Sequence, residues 1–297
     1  MELCLGTVQF GLDYGILNQK KPTLQNAVKC LDFATQNGIS AIDTAKAYGN
    51  AEEVVGRFLE LHTIPRERLF LSTKLLPNIL DEVEPSNYEK VIEREIVSQL
   101  NTLHTDYVDA YMFHSARYAL DRVKLEAMRT VVKKGFAKMS GVSVYDPEEA
   151  ISCFESGLVD FIQAPYSIFD HRMKDGGVFD HPRRSDCDIH TRSAFIQGLI
   201  VMDEDSVPSF LAKAKPIVKK IRLLCEREGI SRTQLAMQYV KRERDVSHLV
   251  FGVDSLQQLK EDIRMFEEDL PEDLLQTIGN EFDCIDADIV MPSLWKR

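Results

Sequence analysis

The sequence predicts an α/β fold, a (β/α)8 TIM barrel, with residues 1–297 forming a single domain. Three observations carry this expectation. Short apolar runs alternate with helix-forming patterns from end to end, which favours a parallel sheet. There are eight such runs, the number that closes a barrel. The 297 residues are 44% hydrophobic, enough for one barrel of about 250 residues or more. An open doubly wound sheet is the alternative, but no Gly-x-Gly-x-x-Gly follows any strand, which argues against a Rossmann nucleotide site.

The elements follow in order. Leu3–Thr7 is a short apolar strand. Thr23 caps a helix with the stripe Leu24, Ala27, Val28, Leu31 and Ala34, and Gly38 suits its end. Ile39–Thr44 is the second strand. Asn50, with Glu53 three residues on, reads as the capping box of the next helix. Leu69–Lys74 is the third strand, and Ser86 with Glu89 is a second capping-box pattern, opening a helix to about Leu103. Tyr107–His114 is apolar almost throughout, as a strand covered on both faces must be. A helix runs from about Asp121 to Gly135, and Ala137–Val144 is the fifth strand. Asp146-Pro147-Glu148-Glu149 starts a helix that ends at Gly157. Val159–Ala164 is the sixth strand. Phe169–Arg184 has weak periodicity and reads as a loop with a short helix. Ile189–Phe195 is the seventh strand. Helices around Pro208–Glu228 and Arg232–Glu243 precede the eighth, Val246–Phe251. Ser255 opens a helix to about Phe266, Pro271–Glu281 adds another, and the tail beyond is expected to wrap the barrel.

Composition excludes several classes. The net charge of −11, with no run of Lys or Arg, disfavours nucleic acid and anionic membrane as partners. No stretch of about 18 apolar residues spans a bilayer, and the start MELCLGTVQFG lacks the pattern of a secretory leader. Cys4, Cys30, Cys153, Cys187, Cys225 and Cys284 are scattered without a C-x-x-C pair. They read as reduced thiols of a cytoplasmic protein. His171, His181 and His190 with Asp170, Asp180 and Asp188 follow no compact ligand spacing, so no metal is expected.

In a barrel, chemistry sits at the C-terminal ends of the strands. Asp43, Lys74 and His114 close the second, third and fourth strands, and Tyr48 lies five residues past Asp43. Each emerges from an apolar run, where a polar group is costly without a partner. Taken singly, each is as readily a cap, a surface group or a packing residue; the joint placement on one face is what points to a site.

These residues lie in segments that resemble the aldo-keto reductase family. The resemblance takes in LGTVQFG, AIDTAKAYGNAE, STK and FH at strands one to four, then GVS, QAPY, RSAFIQGL and FGVDSLQQLKED at strands five to eight. It implies that Asp43, Tyr48, Lys74 and His114 form a catalytic tetrad. Tyr48 would give a proton to a carbonyl oxygen, Lys74 would lower the phenol pKa, Asp43 would hold Lys74, and His114 would orient the carbonyl. Hydride would come from a nicotinamide nucleotide, since no side chain supplies one. The resemblance implies Ser143 and Gln163 at the carboxamide, Thr7 and Asp43 near the ribose, and Arg192 and Ser193 along the ring and pyrophosphate. It also places Gly252, Val253, Asp254, Gln258 and Asp262 at the adenosine end, where a helix N-terminus favours anions.

The sequence departs from the family pattern in places. Val144 follows Ser143 where Asn is common, and Arg192 stands where an aromatic often stacks on the ring. No basic residue follows the eighth strand until Lys260, although Arg is the usual grip on a 2′-phosphate. NADP(H) is the family default and NAD(H) the competitor. The hairpin that closes the barrel floor in the family has no counterpart, so the tail or a partner subunit is expected there. A small carbonyl or alcohol is the expected substrate, met by Gln9, Phe10, Asp13, Tyr14, Ser115, Arg117, Tyr118 and Arg192. The LGTVQFGLDYG opening resembles members tied to bacterial sugar and surface-polysaccharide metabolism, which suggests a sugar-like aldehyde. Two other readings stay open: a nicotinamide-binding regulatory protein, and a Schiff-base aldolase or lyase acting through Lys74. Oligomeric state is not legible.

Overall fold

A computed structural model describes residues 1–61, 63–181, 187–283 and 285–296. Eight parallel strands close into a barrel in sequence order, so the open-sheet alternative is excluded. They are β1 (Glu2–Gly6), β2 (Ala41–Asp43), β3 (Phe70–Leu75), β4 (Val108–Phe113), β5 (Ala137–Ser143), β6 (Phe161–Pro165), β7 (Asp188–Arg192) and β8 (His248–Gly252). β1 pairs with β8 over five residues, Glu2 opposite His248 through Gly6 opposite Gly252, which seals the ring. Every residue of β4 and β6 is buried, because helices cover the outside while side chains fill the inside.

Alternation along the strands sorts the interior into layers. On β3, Phe70 contacts the floor-level rings of Phe161, His190 and His248. Two residues on, Ser72 reaches Asp43, and two more bring Lys74 to the same carboxylate. The polar layer therefore lies at the C-terminal mouth and an aromatic one at the N-terminal floor.

Helix starts follow sequence chemistry where the backbone is extended at the cap. Thr23, Asp121, Ser231 and Ser255 accept from the amide three residues on. Asp146 and Glu149 form a reciprocal capping box at Pro147–Ser156, and Gly157 ends that helix at φ +64°. Two expected caps do not form. Asn50 has φ −99° and ψ 22° and makes no cap bond; its Oδ1 accepts from Lys21 Nζ at 2.6 Å instead. Ser86 sits inside a 3-10 turn, Pro85–Asn87, so the helix Tyr88–Leu103 starts after it. The Phe169–Arg184 stretch holds one helical turn, Arg172–Asp175; residues 182–186 lie outside the described set.

Among the described residues, the tail packs away from the floor. Ala287–Val290 and Pro292–Leu294 pack beside the segment after β7, through Lys213 with Asp288 and Phe210 with Trp295. Pro292 even lines the cleft at the opposite, C-terminal mouth. Cys4, Cys30, Cys153, Cys187 and Cys225 are buried; Cys284 lies outside the described residues. Among the described residues, no helix is long and apolar enough to cross a membrane.

Candidate active site

The strand ends bring four distant residues into one cluster. Lys74, with no exposed surface, donates to both Asp43 oxygens at 2.7 Å and to Thr44 O at 3.0 Å. Each of its three donor directions thus meets an acceptor. Ser72 Oγ and Gln163 Nε2 each donate to Asp43 Oδ1 at 2.9 Å, and Thr7 Oγ1 donates to the Asp43 carbonyl. Because a carboxylate only accepts, the Gln163 amide nitrogen must face Asp43, which keeps Oε1 as an acceptor. Lys74 Nζ lies 5.1 Å from the Tyr48 ring centroid. The Tyr48 and His114 rings meet edge to face at 5.7 Å and 85°.

The electrostatics differ from the sequence expectation in one respect. Burial first, then the Asp43 carboxylate, push the Tyr48 phenol well above its usual range, and the opposing influence is the Arg192 guanidinium. The Lys74 ammonium beside it is itself paired with Asp43 at contact distance. Tyr48 therefore keeps its proton across the physiological range. Burial, then the Lys74 and Arg192 charges, pull His114 down to about 3, so the imidazole is neutral.

Behind Lys74 lies a second polar group that sequence reading missed. Glu52 is 4% exposed and accepts from Thr73 Oγ1 at 2.7 Å and from Gln99 Nε2 at 2.5 Å. Gln99 also donates to the Lys74 carbonyl and accepts from Tyr111 Oη at 2.7 Å. This network pins the end of β3. Ser72 was legible in principle, since it precedes Lys74 by two residues and must share its face.

A cleft of about 740 Å³ opens over the cluster, within the range of small-molecule and cofactor sites. Asp43, Tyr48 and His114 line it, as do Thr7, Ser143, Gln163, Arg192, Ser193, Gly252, Asp254 and Gln258. Val253 and Asp262 do not. Val253 has no exposed surface, and Asp262, one turn beyond Gln258, is buried at 3%. Arg192 Nη2 donates to Val144 O at 2.9 Å and its guanidinium lies 4.4 Å from the Tyr145 ring centroid. Tyr145 thus supplies an aromatic face that sequence reading did not find.

Of the eight residues expected to meet substrate, Gln9, Tyr14 and Arg192 line the cleft. Phe10 is buried at 1%. Arg117 pairs with Asp81 and Asn78, Tyr118 Oη donates to Asp81, and Ser115 bonds Asn78. The loop after β4 is thus tied down beside the site, and the rim comes from the loops after β1 and β7. Ile16 N donates to Gln197 O at 3.1 Å, linking these two loops past β8.

The wall fits a nicotinamide dinucleotide on several counts. Gln9 Oε1 and His114 Nδ1 are buried without a hydrogen-bond partner among the described residues. A Cβ at Gly252 would stand 2.1 Å from Gln9 Oε1, so glycine is what lets that amide sit in the wall. The helix Leu256–Glu267, capped by Ser255, turns its N-terminus towards the end of β8, a favourable place for phosphate. Ser193, Ile196 and Gln197 hold positive φ in the loop after β7, strain of a kind that clusters at ligand sites.

The histidines once grouped with Asp170 and Asp180 separate. His171 stacks on Tyr239 and meets Asp283, Asp170 pairs with Arg172, and His181 packs on Phe154. His190 and Asp188 stand together at the barrel floor with His248.

A family model for the aldo/keto reductase family matches residues 2–280. The chain is 26% identical to an uncharacterized oxidoreductase, YrpG, of Bacillus subtilis (strain 168), over 94% of this chain and 91% of that protein. It is 25% identical to the NADH-specific methylglyoxal reductase of Escherichia coli (strain K12), over 79% of this chain and 81% of that one. Its fold resembles the holo form of aldo-keto reductase AKR11C1 from Bacillus halodurans, with TM-score 0.75, 22% identity, and 97% and 95% of the two chains covered.

Proposed function

The chain belongs to the aldo/keto reductase family and is an NAD(P)H-dependent oxidoreductase acting on carbonyl compounds, and on that premise we propose that Tyr48 is its proton donor and NADH its preferred reductant. The observation that carries the first part is the contact of Tyr48 with His114 at the cleft, directly beside the buried Lys74–Asp43 pair. A dihydronicotinamide held in this cleft would supply the hydride that no side chain can. Tyr48, with its proton held by burial and Asp43, delivers that proton to the carbonyl oxygen as charge develops on it. His114, neutral at working pH, donates a hydrogen bond to the same oxygen. Lys74 and Asp43 fix the floor of the site, and the charge of Arg192 favours the oxyanion. Ser143 and Gln163 would hold the carboxamide, Gln163 through the Oε1 that its bond to Asp43 leaves as an acceptor.

The preference for NADH rests on the adenosine end. The cleft there carries Asp254 and Gln258, and the one cation among the described residues lining the whole cleft is Arg192. Lys260 turns away, its Nζ 5.2 Å from the Phe33 ring centroid. An added 2′-phosphate would meet carboxylate without a matching cation. The relative that reduces methylglyoxal with NADH, and a rim of Gln9, Tyr14 and Arg192, favour a short polar aldehyde as substrate. We take residues 1–297 as one barrel domain. The free buried thiols Cys4, Cys30, Cys153 and Cys225 suit a reducing compartment such as the cytoplasm.

The test is Tyr48→Phe. It should bind NADH as the wild type does, by fluorescence titration, and lose methylglyoxal reduction by about 100- to 10,000-fold. Reduction near the wild-type rate would assign the proton donor elsewhere.

A further inference from the structure

We propose that the barrel floor is a divalent transition-metal site, with Asp188, His190 and His248 as ligands and the exposed Glu2 carboxylate, beside His248 alone, able to swing in as a fourth. The three ligand atoms of Asp188, His190 and His248 lie within 4.8 Å of one another. His190 Nε2 stands 3.5 Å from Asp188 Oδ2, and His248 Nε2 stands 3.6 Å from Glu2 Oε2. Ligands about 2.0–2.1 Å from a tetrahedral zinc ion are separated by about 3.3 Å from each other. Both measured edges are thus within a few tenths of an ångström of that spacing.

The second observation is His190 itself. It has no exposed surface, yet both ring nitrogens lack a hydrogen-bond partner among the described residues. The nearest carboxylate oxygen, Asp188 Oδ2, stands 3.5 Å from Nε2 outside hydrogen-bond geometry, so the cost of burying this imidazole is only partly offset, and a metal–nitrogen bond would offset it further. Its ring is held by Phe161 and Phe70, with centroids at 4.5 and 5.1 Å, so the lone pair is aimed before any ion arrives.

His248 is oriented in the manner of a metal ligand. Ser247 Oγ donates to Ile189 O at 3.1 Å and lies 3.1 Å from His248 Nδ1. With its own proton given to the carbonyl, that hydroxyl accepts from Nδ1–H. Nε2 is then the nitrogen with the free pair, and it is the one facing Glu2. Hydrogen bonding of the distal ring nitrogen is the usual way a ligating histidine is fixed. Two imidazoles with two carboxylates suit Zn2+ and its neighbours over Mg2+ or Ca2+. Glu2 is 71% exposed at its side chain, which leaves the site reachable from solvent. Strand register explains the convergence: His190, His248 and Glu2 are successive partners across β7, β8 and β1. The site faces away from the mouth where Tyr48 lies, so an ion here would tie the seam of the barrel and take no part in hydride chemistry.

The experiment is titration of the full chain, dialysed against chelator, with Zn2+ by calorimetry and with Co2+ by visible absorption. One ion per chain is expected, with an intense tetrahedral Co2+ band and a higher unfolding temperature when Zn2+ is present. His248→Gln and Asp188→Asn should each weaken binding by about 100-fold, and Glu2→Gln, at the exposed edge, should weaken it less. NADH binding at the opposite mouth reports that each variant is folded. Absence of stoichiometric binding, or binding unchanged in folded His248→Gln and Asp188→Asn, would overturn the assignment and place any bound ion elsewhere, for instance on cysteine.

Discussion

Replacing Lys74 by methionine tests the buried ion pair most directly. Asp43 is 2% exposed, and its Oδ2 has Lys74 Nζ as its hydrogen-bond donor, while Oδ1 also receives Ser72 and Gln163. Lys74→Met leaves a buried carboxylate without its counter-charge, a loss of about 3–5 kcal/mol when one partner of such a pair is removed. For a chain of 297 residues that lowers the unfolding temperature by about 5–8 °C. The deficit should depend on pH with a defined sign. A lone buried carboxylate has a folded pKa above its unfolded value, so the folded state binds more protons and stability falls as pH rises. The deficit is therefore largest at pH 8 and shrinks towards pH 5. The double variant Asp43→Asn/Lys74→Met removes both charges and should recover all but about 1–2 kcal/mol. Urea unfolding followed by circular dichroism at both pH values measures this, with NADH-dependent turnover alongside. Neither variant should turn over above the Tyr48→Phe background. A Lys74→Met protein as stable as wild type at pH 8, or a double variant no more stable than the single, would refute the argument.

Other predictions follow from single sites. Burial, then Glu261 and Asp254, push the Asp262 carboxyl up to about 7, and its Oδ2 has no partner among the described residues. The folded state thus holds a proton that the unfolded chain loses from about pH 4 upwards. Asp262→Asn should match wild type near pH 4 and be more stable by up to about 4 kcal/mol above pH 7, read from urea midpoints; a pH-independent difference would count against it. Asp254→Arg should move the NADPH-to-NADH ratio of kcat/KM by about 10-fold or more towards NADPH, and an unchanged ratio would remove the adenosine-end assignment. A Cβ at Gly56 would stand 2.2 Å from Thr102 O, where the helix Ala51–Leu59 crosses the end of Tyr88–Leu103. Gly56→Ala should cost about 1–3 kcal/mol, visible as a lower unfolding temperature with NADH binding retained.

Much of the fold was legible because parallel barrel strands are short apolar runs and their helices carry caps. Asp146 with Glu149, and Thr23, Asp121 and Ser255, were readable since a cap needs only local geometry. Asn50 and Ser86 misled for the same reason: the motif was present, but a distant Lys21 in one case and an intervening 3-10 turn in the other decided the outcome. Within the candidate site, Asp43, Lys74 and His114 stood out as polar residues ending apolar runs. Val253 and Asp262 were carried along with their motif, and their burial depends on how Leu256–Glu267 packs.

By itself the sequence determined the alternation of strands and helices and which residues leave the strands at the catalytic mouth. Both follow from periodicity, which is a property of neighbours along the chain. Only the tertiary structure decided that Gln163 bonds Asp43 from 120 residues away, that burial and Asp43 raise the Tyr48 phenol instead of lowering it, and that His190 meets His248 at the floor. Those outcomes depend on barrel closure and strand register, which set distances between residues that no local pattern relates.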